Sequence, residues 1–155
     1  MKQVIMVVVI GMLFFSCIDN APKGLTVEEQ FEADLMVIDN FLTQNDLTAE
    51  IEPIYQLRYI ISVPGEGELP TLTDSITINY EGRLLSTGVV FDQNDSITFF
   101  LGSLIPAWQI GLPLLNEGGS MTLYVPSFYG YGNANIPGIP PGSILIFDID
   151  LIEVK

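Results

Sequence analysis

Through its last two thirds the chain repeats a period-two alternation of apolar and polar side chains, cut at intervals by glycine- and proline-rich turns. Tyr55, Leu57, Tyr59, Ile61 and Val63 alternate with Gln56, Arg58, Ile60 and Ser62. Ile76, Ile78, Tyr80, Gly82 and Leu84 alternate with Ser75, Thr77, Asn79, Glu81 and Arg83. Side chains on a strand point to opposite faces in turn, so each stretch is a half-buried strand with one face toward a core. Shorter stretches follow at residues 97–101 and 121–125, and a long one at 144–154 carries Leu145, Phe147, Ile149 and Leu151 on one face. Turns at residues 64–67, at Gly88 and at Gly118 and Gly119 punctuate the pattern, and the strands read as a mostly antiparallel sheet.

Two helices interrupt this pattern. Pro106 suits a first helical turn, and Pro113 disfavours helical geometry at Leu112, so residues 106–112 hold a helix of about two turns. The other helix starts at Thr26, where Glu29 three residues on completes a capping box. Phe31, Leu35, Ile38 and Leu42 then form one apolar face. This helix, at residues 26–45, is expected to pack on the domain as a lid or to act as a spacer; a dimerisation arm is the alternative. Residues 46–53 read as a linker, residues 126–141 as a long Gly-, Pro- and Tyr-rich loop, and residues 54–155 as one α+β domain.

Composition removes most chemistries. There is no histidine and one cysteine in 155 residues, so an imidazole-activated nucleophile and a His/Cys zinc site are excluded. No glycine-rich phosphate loop ends in Lys-Ser/Thr. Asp92, Asn94 and Asp95 lie close together but lack the spacing of a calcium loop. No metal or cofactor is expected. With 19 acidic against 5 basic residues the surface repels phosphate backbones, which argues against nucleic acid as a partner. A catalyst built from what remains must work through an apolar pocket and a few hydrogen bonds.

The N-terminus is read as a targeting segment. Lys2 precedes an apolar run at residues 4–15, which is short for a membrane span and the right length for a signal sequence. Ser16 and Cys17 end it in the manner of a bacterial lipobox, so residues 1–16 are expected to be removed, Cys17 to be lipidated, and residues 17–25 to tether the fold. An ordinary signal peptide with an incidental Cys17 is the alternative.

The order of segments carries a resemblance. DSITINYEGRL at 74–84 is followed by Gly88 and VVFD at 89–92, FFLG at 99–102, LIPAW at 104–108, and Gly111 with Leu112. Gly118, LYVP at 123–126, Tyr131 with Gly132, IPPG at 139–142 and LIFDIDL at 145–151 complete the series. This ordered set resembles the FK506-binding-protein (FKBP) type of peptidyl-prolyl cis-trans isomerase, and the whole chain looks like its lipid-anchored bacterial members with a helical N-terminal extension. The resemblance implies a twisted antiparallel sheet wrapped around a short helix. It implies that Trp108 forms a pocket floor, that Tyr80, Phe91 and Phe147 line its walls, and that Asp92 is its polar group. Leu104 and Ile105 would stand at the rim, with the Ile105 N–H free for a substrate carbonyl. Tyr131 would offer its hydroxyl, Ile97 would take a wall position, and Ile139 would close one side.

Three departures bear on substrate preference and drug affinity: Ile97 stands where an aromatic is common, Ala107 where glycine is usual, and the loop before Leu104 is two residues shorter than in the best-known members. The implied partners are proline-containing unfolded or exported polypeptides, with FK506-like macrolides as candidate ligands and the membrane reached through the lipid anchor of a bacterial cell-envelope protein. A non-catalytic holdase using the same pocket, and a structural lipoprotein docking through its acidic face or its first helix, remain open beside the isomerase.

Overall fold

The computed structural model describes residues 24–155. The apolar run at residues 4–15, Cys17 and most of the tether lie outside the described residues. Among the described residues no helix is long and apolar enough to cross a membrane.

Helix α1 spans Val27–Gln44. Both halves of the capping box form: the Thr26 hydroxyl accepts from the Glu29 amide at 3.2 Å, and the Glu29 carboxylate accepts from the Thr26 amide at 2.8 Å. Strands β1 (Glu50–Ile51), β2 (Arg58–Val63), β3 (Ser75–Leu84), β4 (Val90–Phe100), β5 (Ser120–Val125) and β6 (Leu145–Val154) follow, with helix α2 at Pro106–Gly111 between β4 and β5. The strands form one antiparallel sheet in the order β1-β2-β5-β6-β3-β4. This is the antiparallel α+β architecture, with one short helix against the sheet and a further helix before it, expected from the sequence.

The alternation becomes two layers of core. Inward residues of the sheet, among them Ile76, Ile78, Leu123, Phe147 and Ile149, pack with Ala107, Trp108 and Leu112 of the α2 region. The opposite face of the sheet presents Ile60, Tyr124 and Ile146, and α1 covers these with Ile38 and Leu42. Burying an aliphatic side chain of this size contributes about 1.5–3 kcal/mol, so the pair holds α1 firmly. Arg58 adds a two-pronged ion pair to Asp39 of α1, with both N···O distances under 3 Å. The first helix is therefore packed on the domain, and its apolar face is covered by the sheet it belongs to.

Three boundaries differ from the sequence reading. The stretch expected to begin at Tyr55 becomes a strand only at Arg58, because Glu52 accepts from the amides of Ile54 and Tyr55 and closes a turn there, with Gln56 at φ 57°. The expected linker contains the short strand β1, paired with the start of β2. The expected short strand at 97–101 is the end of the much longer β4, which bears two irregularities against β3. One of them includes Ser96 in the left-handed region, at φ 54°.

Candidate functional site

The aromatic pocket lies between the inner face of the sheet and the start of α2. Its floor is Trp108, delivered by a helix that Pro106 starts at its first turn. Trp108 meets Tyr80 edge-on with ring centroids 5.1 Å apart, and Phe147 at 5.2 Å. Phe99 joins at 6.2 Å. Edge-to-face contacts of this kind stabilise by about 0.5–1.5 kcal/mol each beyond area burial, so the floor is rigid as well as apolar. The indole N–H is buried and has no hydrogen-bond partner among the described residues.

The cavity holds about 200 Å³ and is lined by Tyr80, Asp92, Phe99, Leu104, Ile105, Trp108, Tyr131 and Phe147. All but Phe99 are residues singled out from the sequence. The other three singled-out residues stand behind the lining set. Phe91 packs perpendicular to Phe147 at 5.7 Å and backs the wall. Ile97 packs against the core from further along β4. Ile139 is buried in the core and bridges to Ile136 in the long loop.

Two residues escaped the sequence reading. Phe99 shares the inward side of β4 with Ile97, and its longer ring reaches Trp108. Period two from Ile97 was the available signal. Gln109 sits beside Trp108 in α2, and its Nε2 donates to the Leu104 carbonyl at 2.6 Å and the Gly102 carbonyl at 3.3 Å. It thereby fixes the rim. Its neighbour Ile105 accepts from the Trp108 amide through its carbonyl, and its own N–H makes no hydrogen bond among the described residues.

The polar side of the pocket is built from the Tyr80 and Tyr131 hydroxyls and the Asp92 carboxyl group. The Tyr80 hydroxyl donates to Asp92 at 2.7 Å. Burial, then the Asp92 hydrogen bond and charge, push the Tyr80 phenol well above its ordinary range. Burial also raises the Tyr131 phenol, with Asp92 adding to it. Both therefore stay protonated donors at neutral pH. Such a site can grip an apolar ring and orient a carbonyl.

A larger concavity, about 550 Å³, opens on the other side of Tyr80 among Asn79, Glu81, Asn94, Asp95, Asp148 and Asp150. Several of its carboxylates are engaged locally: Asp148 by Arg83 and Thr122, Asp150 by Ser120. It lacks the apolar lining that marks a small-ligand pocket.

Comparison with known proteins agrees with this geometry. Residues 66–152 match the family described as FKBP-type peptidyl-prolyl cis-trans isomerase. The FKBP-type peptidyl-prolyl cis-trans isomerase FkpA of Escherichia coli K12 is 34% identical over 141 residues, which cover 88% of this chain and 47% of the relative. The peptidyl-prolyl cis-trans isomerase Mip of Coxiella burnetii is 40% identical over 121 residues, 74% of this chain and 52% of the relative. The chain thus spans about half the length of the curated relatives it matches. The crystal structure of FkpA from Escherichia coli superposes with a TM-score of 0.70 at 30% identity, covering 83% of this chain and 62% of that one. That of a peptidyl-prolyl cis-trans isomerase from Pseudomonas syringae pv. tomato gives 0.68 at 26% identity, covering 86% and 98%. With the aromatic pocket, the six-stranded sheet around α2 and the ordered motifs all in agreement, this chain belongs to the FKBP-type peptidyl-prolyl cis-trans isomerase family.

Proposed function

We propose that the chain catalyses cis–trans isomerisation of X-Pro peptide bonds in unfolded or exported polypeptides, using the pocket floored by Trp108. The observation that carries this reading is the walled aromatic floor itself: three rings around Trp108, with hydroxyls and an N–H unpaired among the described residues at one edge. Rotation about a peptide bond must break amide resonance against a barrier of about 18–20 kcal/mol. For X-Pro the isomers are close in energy, yet exchange takes roughly tens to hundreds of seconds. A twisted amide has less charge separation than a planar one, so a dry aromatic site disfavours the planar ground state relative to the transition state. The proline ring fits against Trp108, the substrate carbonyl takes the Ile105 N–H, and Tyr131 donates to the peptide. No base, metal or covalent step is needed.

Tyr131→Phe removes that donor while keeping the ring. The expected result is a drop of about tenfold in kcat/KM on a Pro-containing peptide in a protease-free assay, with little change in stability. An unchanged rate would remove Tyr131 from the site.

The same proposal includes placement. Lipidation at Cys17 would hold the enzyme in the bacterial cell envelope, where exported chains emerge unfolded and proline isomerisation limits their folding. Labelled fatty acid is expected to be incorporated into the chain expressed in a bacterial host, and to be lost in Cys17→Ser. Equal incorporation in both would refute the anchor. FK506-like macrolides are candidate ligands of the pocket, with Ile97 and Ala107 as the positions that would alter their affinity.

A further inference from the structure

Helix α1 reaches the pocket through one buried carboxylate. Asp34 is 3% exposed, on the sheet-facing side of the helix. One of its oxygens accepts from both the amide and the hydroxyl of Ser127, at 2.7 and 2.6 Å. The other accepts from the Gln30 side chain at 2.7 Å. Ser127 opens the long loop after β5, and its carbonyl accepts from the amides of Gly130 at 3.1 Å and Gly132 at 2.8 Å. Tyr131 lies between those two glycines. Its position at the pocket is thus set by a residue that α1 holds in place.

Neighbouring contacts reinforce the link. Phe31, one turn before Asp34, packs edge-on against Tyr129 at 5.3 Å and Phe128 at 6.4 Å. A buried carboxylate is costly unless its hydrogen bonds are satisfied. Anchoring the helix alone needs no charge there, since Ile38 and Leu42 already do it with apolar surface. What an aliphatic residue at this position could not do is hold the Ser127 amide and hydroxyl together.

We propose that Asp34 is a positioning residue for the isomerase reaction, fixing Ser127 and through its carbonyl the hydroxyl of Tyr131 at the pocket. The proposal rests on the reading of the pocket given above, and the N-terminal helix is by this account part of the working site.

The test uses the full chain and the protease-free peptide assay, at a temperature where every variant is folded. Asp34→Ala is expected to lower kcat/KM about tenfold, comparable to the loss of the Tyr131 hydroxyl itself. Asp34→Asn, which keeps an acceptor for Ser127, is expected to recover most of that loss. Ile38→Ala loosens the same helix without touching Ser127, and should lower Tm while leaving kcat/KM within about twofold. The double variant Asp34→Ala with Tyr131→Phe should be no slower than Tyr131→Phe alone, because both changes remove the same contribution. In nitrogen-15 spectra the amides of Gly130 and Gly132 should shift in Asp34→Ala and stay in place in Ile38→Ala. If Asp34→Ala does not fold, Ser127→Ala removes one of the two bonds and should cost about threefold.

Wild-type kcat/KM in Asp34→Ala alongside a tenfold loss in Tyr131→Phe would overturn the proposal and leave the pocket reading standing. So would losses that multiply in the double variant. An unchanged Tyr131→Phe would instead strike at the pocket reading, and the role given to Asp34 would fall with it.

Discussion

Trp108→Ala is expected to lower kcat/KM on X-Pro peptides by about a hundredfold, because the proline ring loses its floor and the surrounding rings lose their common partner. Trp108 makes edge-to-face contacts with Tyr80, Phe99 and Phe147, and 4% of it is exposed. Truncating a buried ring of this size costs about 3–5 kcal/mol of stability. The two effects must therefore be read separately, by urea denaturation and by turnover below the unfolding transition. Trp108→Phe separates them further. It keeps an aromatic floor and also removes an indole N–H that is buried without a partner among the described residues. Leaving such a donor unsatisfied costs about 1–3 kcal/mol, so its removal offsets part of the packing loss. Trp108→Phe should thus lose less stability than Trp108→Ala and retain measurable turnover. Full activity in a folded Trp108→Ala protein would exclude Trp108 as the proline platform.

The second large effect is expected at Gly82. It stands on the inward face of β3, in the place where the alternation calls for an apolar side chain. A Cβ there would lie 2.7 Å from Phe147 Cε1 and 2.7 Å from Phe91 Cζ. The gap in the alternation is where those two rings cross, 5.7 Å apart and nearly perpendicular. Gly82→Val cannot be accommodated unless a ring moves, and Phe147 is a pocket wall held against Trp108. Overpacking of this kind costs about 1–3 kcal/mol. Displacing a wall by an ångström can cost up to about a hundredfold in rate, so a loss of at least tenfold in kcat/KM is expected. A Gly82→Val protein with wild-type turnover would show that the Phe91–Phe147 wall does not shape the reaction.

How much of this was legible in the sequence follows from what each element is made of. The strands with unbroken alternation, β3 and β6, could be read along nearly their full length, and the capping box marked the start of α1 to the residue. Strand β4 was read only in its last part. Its irregular pairing with β3 breaks the two-residue period on which such reading depends, and Ser96 takes a backbone conformation that side-chain pattern does not announce. Strand β1 is too short to carry any period. The mixed outer face of β2 reads as half-solvated because nothing in its two-residue period shows that α1 covers Ile60.

The pocket was legible because its residues fall in an order shared with a known family. Single aromatics would not have sufficed. Phe99 stands two residues past the wall position at Ile97 and packs on the core from the same strand, so the two-residue period and not the family order marks it. The role of Asp34 is hidden for a different reason. It lies on the same helical face as Phe31 and Ile38, where a polar residue breaks the apolar pattern. Its partner Ser127 is far along the chain, in a loop with no periodicity to read.

The central claim is that this pocket turns over prolyl bonds and does not merely hold unfolded chains. NMR exchange spectroscopy on a short X-Pro peptide, with the protein well below stoichiometric amounts, tests it most directly. The account predicts exchange cross-peaks between the cis and trans resonances on a sub-second scale, against roughly tens to hundreds of seconds uncatalysed, and their disappearance with Trp108→Ala. A peptide that binds the pocket while its isomers exchange at the uncatalysed rate would contradict it and identify the site as a binding surface alone.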